Sequence, residues 1–513
     1  MFCSLLFLTR QQYDQPRRTD MPDYFKDLNL DQIFEPILKS KQRFKLEEFF
    51  FTVLHDPAII AYRQEIMQEM ENIDLQVLLS EFSKTIYGLG YYMEILRKEL
   101  SKTDVHSSYL DKGHMLDTAD EYCHIVSALS QKLSSITIHS QGLCHFTEYL
   151  SAYESSEPYM QLKTQVKKLR KELSTVHYCM LIKNGTIRVR KYENQSDHSK
   201  QILSIFEKFR QGNVKDYRQT FTEEPSAVHV ETAVLDLVAR LYKDIFTDLD
   251  GFCSTFLHFD DKILLRFSRE LQFYLVWLEA IRPLRKAGLS FNYPAICDTP
   301  DCIYNQGGFD LALAFSLEGK TITNDFSLHT PEHILVITGP NQGGKTTFAR
   351  AFGQLHHLAS LGLCVPGEKA ATYLFDNIFT HFGKEEDIST LNGKLQDDLI
   401  RLHDLLGKTT SKSIIIANEI FSSTTLSDAL YLGKQMMDAF ASSGSLAVVV
   451  TFLDELAYHG TDTVSMMSTV QQDNPEQRTY KIIRKPPDGL AYALYIAEKH
   501  GLTYKQLNKR LKK

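Results

Sequence analysis

The chain is 513 residues long, more than one ordinary hydrophobic core accommodates, so two or three domains are expected. Hydrophobic residues make up 43% and charged residues 24%, a globular composition that excludes disordered and fibrous classes. The net charge of −7 excludes an overall basic footprint, so any nucleic-acid contact must come from local patches.

The apolar start, Phe2 to Leu8, lacks a basic flank and is too short for a secretory core or a membrane span. A cytoplasmic protein is expected, with scattered, reduced cysteines; the closest pair, Cys297 and Cys302, has no second pair to complete a zinc site. Residues 1–22 read as a small N-terminal segment.

Residues 23–290 read as a mostly helical domain. Leu162, Val166, Leu169 and Leu173 recur at helical spacing and mark a packing stripe. Lys167, Lys168, Arg170 and Lys171 read as a solvated helix face. One stretch, about 177–191, breaks the pattern: β-rich runs flank Asn184-Gly185, whose residue types suit the positive φ of a hairpin turn. Its far strand carries Arg188, Arg190 and Lys191, which either contact phosphates or shield an exposed edge with charge.

From 291 to 513 apolar runs alternate with helical patterns, as in an α/β domain with a largely parallel sheet. Ile334-Leu335-Val336-Ile337 feeds Gly339-Pro340-Asn341-Gln342-Gly343-Gly344-Lys345-Thr346, followed by Thr347. This is the complete G-x-x-x-x-G-K-[ST] loop in its strand, turn and helix context. Backbone N–H groups of such a loop cradle phosphates, Lys345 reaches the β and γ phosphates, and Thr346 ligates Mg²⁺. Ser413 to Ala417 and Leu446 to Val450 read as further central strands. The first ends at Asn418-Glu419, where Glu419 is the candidate catalytic base for ATP hydrolysis. Asn418 accepts a hydrogen bond from a Mg²⁺-bound water but brings the ion no charge. His356 and His357 are adjacent, a spacing unsuited to a helical metal pair, and read as packing or surface residues; Cys364 reads as a small buried hydrophobe.

Several motifs together resemble the MutS family of DNA mismatch repair ATPases. They are Thr338–Thr346, the preceding Asn324-Asp325, Gly362 to Pro366, Asp376 to Thr380, and Tyr492 to Ala497 with Gly501-Leu502. The resemblance implies a multidomain protein: a helical core and lever domain with a β-hairpin insertion, then an ABC-type α/β P-loop ATPase domain. It implies ATP and Mg²⁺ as cofactors and a homodimer. Thr424, Thr425 and Asp428 match parts of the loop that approaches the partner subunit's nucleotide, and Asn392, Gly393 and Lys394 stand in the signature-like segment. It also implies duplex, mismatched or branched DNA as partner, a downstream repair protein and no membrane.

Departures qualify the expectation. No mismatch-reading domain or Phe-x-Glu wedge is expected before the helices, and no nuclease domain is expected after Lys513. The usual Ser-Thr pair is replaced at Gly393-Lys394, the usual Asp by Asn418, and the usual His by Phe452. A slow ATPase, forming ADP and phosphate, is expected, acting as a DNA clamp or as an ATP-switched scaffold for a protein partner. An ordinary P-loop kinase or transport ATPase fits the extra motifs less well.

Overall fold

The computed structural model describes residues 2–100, 108–183, 186–193, 225–297, 302–383, 393–471, 477–488 and 502–511. The chain forms two compact units: one holds Val77–Ile138 and Cys144–Ser268, the other Phe2–Gln76, His139–Leu143 and Arg269–Lys513.

The first unit is helical. Phe146 and Phe267 stack with ring centroids 3.3 Å apart, and Phe82 lies beside both. On the helix Glu157–Leu173, Leu162, Val166 and Leu169 are buried, as the spacing predicts, while Leu173 is half-buried. The charged face pairs locally: Lys168 with Asp248 at 2.7 Å, Arg170 with Asp117 at 2.7 Å and with Asp120 at 3.1 Å. Strands Tyr178–Lys183 and Thr186–Lys191 form the expected antiparallel hairpin, with Lys183 opposite Thr186. Its turn, Asn184-Gly185, lies outside the described residues.

The second unit is built on a six-stranded sheet. Its strands lie in the order Ile378–Phe382, Ile414–Asn418, Leu446–Val450, Ile334–Thr338, Thr463–Val470 and Arg478–Arg484. All neighbours are parallel except the last pair, in agreement with the largely parallel sheet expected. Ile334–Thr338 and Leu446–Val450 are buried at every residue, which explains their unbroken apolar sequences: both faces are covered. A four-stranded sheet, Ala295–Cys297, Lys369–Tyr373, Cys302–Gly308 and Asn324–His329, lies in the same unit.

The N-terminal arm is part of this core. Cys3, Leu5, Leu6 and Phe7 are buried, Glu270 accepts from Ser4 Oγ at 2.9 Å and Leu5 N at 2.6 Å, and Arg63 donates to the carbonyls of Leu6 and Leu361. His356 and His357 are buried packing residues. Nδ1–H of His356 donates to Phe352 O at 2.9 Å; Nε2–H of His357 donates to Phe50 O at 3.0 Å, and its Nδ1 accepts from Tyr24 Oη. Burial pushes these imidazoles down to about 4 and about 3. Burial likewise pushes the Cys364 thiol up to about 12, that of an inert core cysteine.

Candidate nucleotide site

The parallel strands deliver the candidate residues to one edge. Ile337 pairs with Val450, and Val450 with Asn418, so the strand ends lie level. The Gly339–Lys345 loop, Asn418-Glu419 and Thr451-Phe452 follow them at the C-terminal edge, where open α/β sheets place ligand crevices.

Loop geometry explains its glycines. Gly339 has φ +113°, and a Cβ there would come 2.9 Å from Ser468 O. A Cβ on Gly343 would overlap Ser468 Oγ, which donates to Gly343 O at 2.7 Å. Gly344, at φ +89°, turns the chain into the helix Lys345–Ser360. The first-turn N–H groups, including those of Lys345, Thr346 and Thr347, have no intrahelical acceptors, so the loop fits an anionic group. Pro340 is buried, whereas Asn341 and Gln342 are exposed.

Lys345 is 4% exposed, and its ammonium donates to Gly339 O at 3.0 Å and Pro340 O at 3.1 Å. Its Nζ also lies 4.4 Å from the centroid of the Phe452 ring. Burial lowers the Lys345 pKa, the Glu419 charge opposes this, and Arg478 reinforces it. Thr346 Oγ1 donates to Asn418 Oδ1 at 2.9 Å. This neutral pair, with half-buried Glu419 next in sequence, fits a Mg²⁺ ion held chiefly by phosphate and water oxygens. Glu419 has φ +54°, and its N–H donates to Val450 O at 2.9 Å, tying a left-handed backbone to the neighbouring strand.

The sequence reading missed Tyr480. Asn324 holds it in place: its Nδ2 donates to Tyr480 O at 3.2 Å, and its Oδ1 accepts from Ile482 N at 2.7 Å. Tyr480 has φ +56°, is 50% exposed, and lies 3.8 Å from the point a Gly344 Cβ would occupy. Asp325 accepts from Gly307 N at 2.6 Å, so the Asn-Asp pair braces two strands.

Other motif residues have structural partners. Val365–Pro366 pairs with Phe291–Asn292; Asp376 accepts from Ser413 Oγ at 2.8 Å; Thr380 Oγ1 donates to Asp27 at 2.6 Å. His381, also missed, bonds Asp398 at 3.2 Å in a buried pair linking its strand to the helix Lys394–Leu406. Gly393 precedes that helix and Lys394 begins it, while Asn392 lies outside the described residues, as do 388–391, Tyr492 to Ala497 and Gly501. Thr425 caps the helix Leu426–Ser443: its Oγ1 accepts from Asp428 N at 3.3 Å, and Thr424 and Thr425 both donate to Asp428.

The basic hairpin residues divide between faces. Arg188 and Arg190 pair across the strands with Leu181 and Cys179, sharing a face with Lys183. Lys191 turns the other way, with Nζ 5.0 Å from the Tyr242 ring centroid. The two arginines therefore form a patch that Lys183, rather than Lys191, extends.

Among the described residues, no helix is long and apolar enough to cross a membrane, and no cluster of His, Cys, Asp or Glu is suited to hold a metal by itself.

Residues 335–510 match the family model of MutS domain V. Similar proteins include "Endonuclease MutS2" of Gemmatimonas aurantiaca, 28% identical over 184 residues, covering 35% of this chain and 22% of that protein. "DNA mismatch repair protein MutS" of Shouchella clausii is 22% identical over 412 residues, covering 76% of this chain and 45% of its own length. The protein of the same name from Thermotoga maritima is 22% identical over 371 residues, with 71% and 43% covered. The chain thus spans less than half the length of these curated relatives. The chain is thus similar to MutS proteins both in the stretch that matches domain V, 335–510, and, at low identity, well beyond it.

Proposed function

We propose that the chain is an ATP-binding switch that acts on DNA as a homodimer in DNA repair or recombination. The carrying observation is the convergence of Lys345, the Thr346 and Asn418 pair, and Glu419 around a glycine loop at one edge of a parallel sheet. In this reading 291–513 carries the P-loop ATPase domain and 23–290 the core and lever helices, of which 23–76 and 269–290, like residues 2–22, belong to the compact unit that holds the ATPase sheet.

The amides of Gly343 to Thr347 bind the phosphates and Lys345 reaches the β and γ groups. Tyr480 offers its ring to the nucleotide base. Thr346 and, through water, Asn418 hold Mg²⁺, which when bound offsets phosphate charge. Glu419 orients the attacking water and accepts its proton, and the neutral Asn418 makes turnover slow. Thr424, Thr425 and Asp428 face a second subunit, with Gly393 and Lys394 completing its site. The helix Leu426–Ser443, capped by Thr425, exposes Leu426 at 72% and Tyr431 at 66%, apolar surface that supports a partner there. The Lys183, Arg188 and Arg190 face contacts phosphates of duplex, mismatched or branched DNA.

The test is ATP binding and steady-state hydrolysis with and without homoduplex, mismatched and branched DNA, beside a Glu419→Gln control. DNA-stimulated turnover, lost in Glu419→Gln while ATP still binds, supports the reading. The net charge of −7 favours a second reading, an ATP-switched scaffold for a protein partner. ATP binding with no affinity for any of the DNAs would select it.

A further inference from the structure

The nucleotide reading assigns Lys345 to the phosphates but gives Phe452 no task. Phe452 is 47% exposed, large and apolar, at the mouth of a polar site. Its position is set by the backbone. Thr451 N donates to Ile337 O at 3.1 Å, tying the residue before Phe452 to the strand that feeds the loop. Thr451 Oγ1 then accepts from Leu453 N at 3.0 Å, a side-chain turn that swings the intervening residue out of the sheet. The ring so presented meets the ammonium of Lys345 at 4.4 Å, while the carbonyls of Gly339 and Pro340 hold the same ammonium. With these contacts the cation is satisfied inside the protein.

We propose that Phe452 is a latch on Lys345: its ring holds the ammonium against the two loop carbonyls, and an incoming polyphosphate must displace it from the ring. Phe452 is thus a positioning residue that sets how strongly the site answers to the β and γ phosphates. This rests on the nucleotide reading of the loop.

The full-length protein is compared with Phe452→Leu, which keeps apolar bulk without a π face, and Phe452→Tyr, which keeps the face. Calorimetry with ATP and with AMP is the first readout. In Phe452→Leu, ATP should bind about 2- to 30-fold more tightly, the range open to one ammonium and ring contact, with AMP unchanged. Phe452→Tyr should match the wild type. The second readout needs no nucleotide: competitive amine labelling of the free protein, read by mass spectrometry at Lys345. Labelling should rise in Phe452→Leu and not in Phe452→Tyr. Equal labelling of Lys345 in wild type and Phe452→Leu overturns the latch, as does equal or weaker ATP affinity in Phe452→Leu. A wild type and Phe452→Leu that both fail to bind ATP would instead overturn the nucleotide reading, and the latch as a nucleotide device with it.

Discussion

Thr346 Oγ1 and Asn418 Oδ1 are joined by a 2.9 Å hydrogen bond, and neither brings a charge to the metal position proposed there. A carboxylate at 418 would keep the bond and add one. Hydrogen bonds to charged groups exceed neutral ones by about 1 kcal/mol, so Asn418→Asp should lower the Mg²⁺ concentration needed for ATP binding about fivefold. Mg²⁺ titrations of ATP binding check this; an unchanged midpoint would show that Asn418 does not face the ion.

Tyr480 and Phe452 should separate by the part of the nucleotide they affect. Tyr480→Ala removes an exposed ring beside Gly344 and leaves the Asn324 tie to its backbone available. Loss of one base-stacking surface should weaken binding by about 1–3 kcal/mol, equally for ATP, ADP and AMP. Competition binding with the three nucleotides measures it, and a loss confined to ATP would refute the base assignment.

On the hairpin, the combined Lys183→Ser, Arg188→Ser and Arg190→Ser variant should weaken DNA binding. The slope of log affinity against log salt should shrink by about 2–3, near 0.9 for each phosphate left without its cation. Lys191→Ser should leave the slope unchanged, because that side chain lies over Tyr242. Salt-dependent fluorescence anisotropy distinguishes the two, and the opposite ranking would contradict the face assignment.

His356 and His357 make stability fall in acid. Both are buried as neutral rings, with pKa values of about 4 and about 3, whereas the unfolded imidazoles titrate near the ordinary value of 6.5. Below that value the unfolded state binds more protons, so stability declines as pH falls and levels off only below the folded values. Between pH 6.5 and 5 each contributes a loss of roughly 2 kcal/mol. Urea unfolding over that range should reveal the slope, and His356→Gln with His357→Gln should flatten it while lowering stability at pH 7.

Much of the second unit was legible because its signals are local. Unbroken apolar runs marked Ile334–Thr338 and Leu446–Val450, and the loop glycines marked a turn that Ser468 proves to enforce. The separate face of Lys191 was within reach of the sequence too: Lys183 opposite Thr186 fixes the alternation, which places 191 across the sheet from 188 and 190. The tie from Asn324 to Tyr480 and the contact of Phe452 with Lys345 join residues distant in sequence, and no spacing rule encodes them. The apolar arm from Phe2 carried no hint of its partners for the same reason: Glu270 and Arg63 become neighbours only in the finished fold.

That arm also orders events during synthesis. Ser4 and Leu5 leave the ribosome long before Glu270, the side chain that binds both, and Leu6 reaches Arg63 long before Leu361 joins it. The intervening unit, largely continuous from Val77 to Ser268, has all its parts first and can fold as an interruption. Ser4 and Leu5 must therefore wait for a helix some 265 positions downstream, and nascent chains stalled before Glu270 are the ones for which a chaperone would matter most.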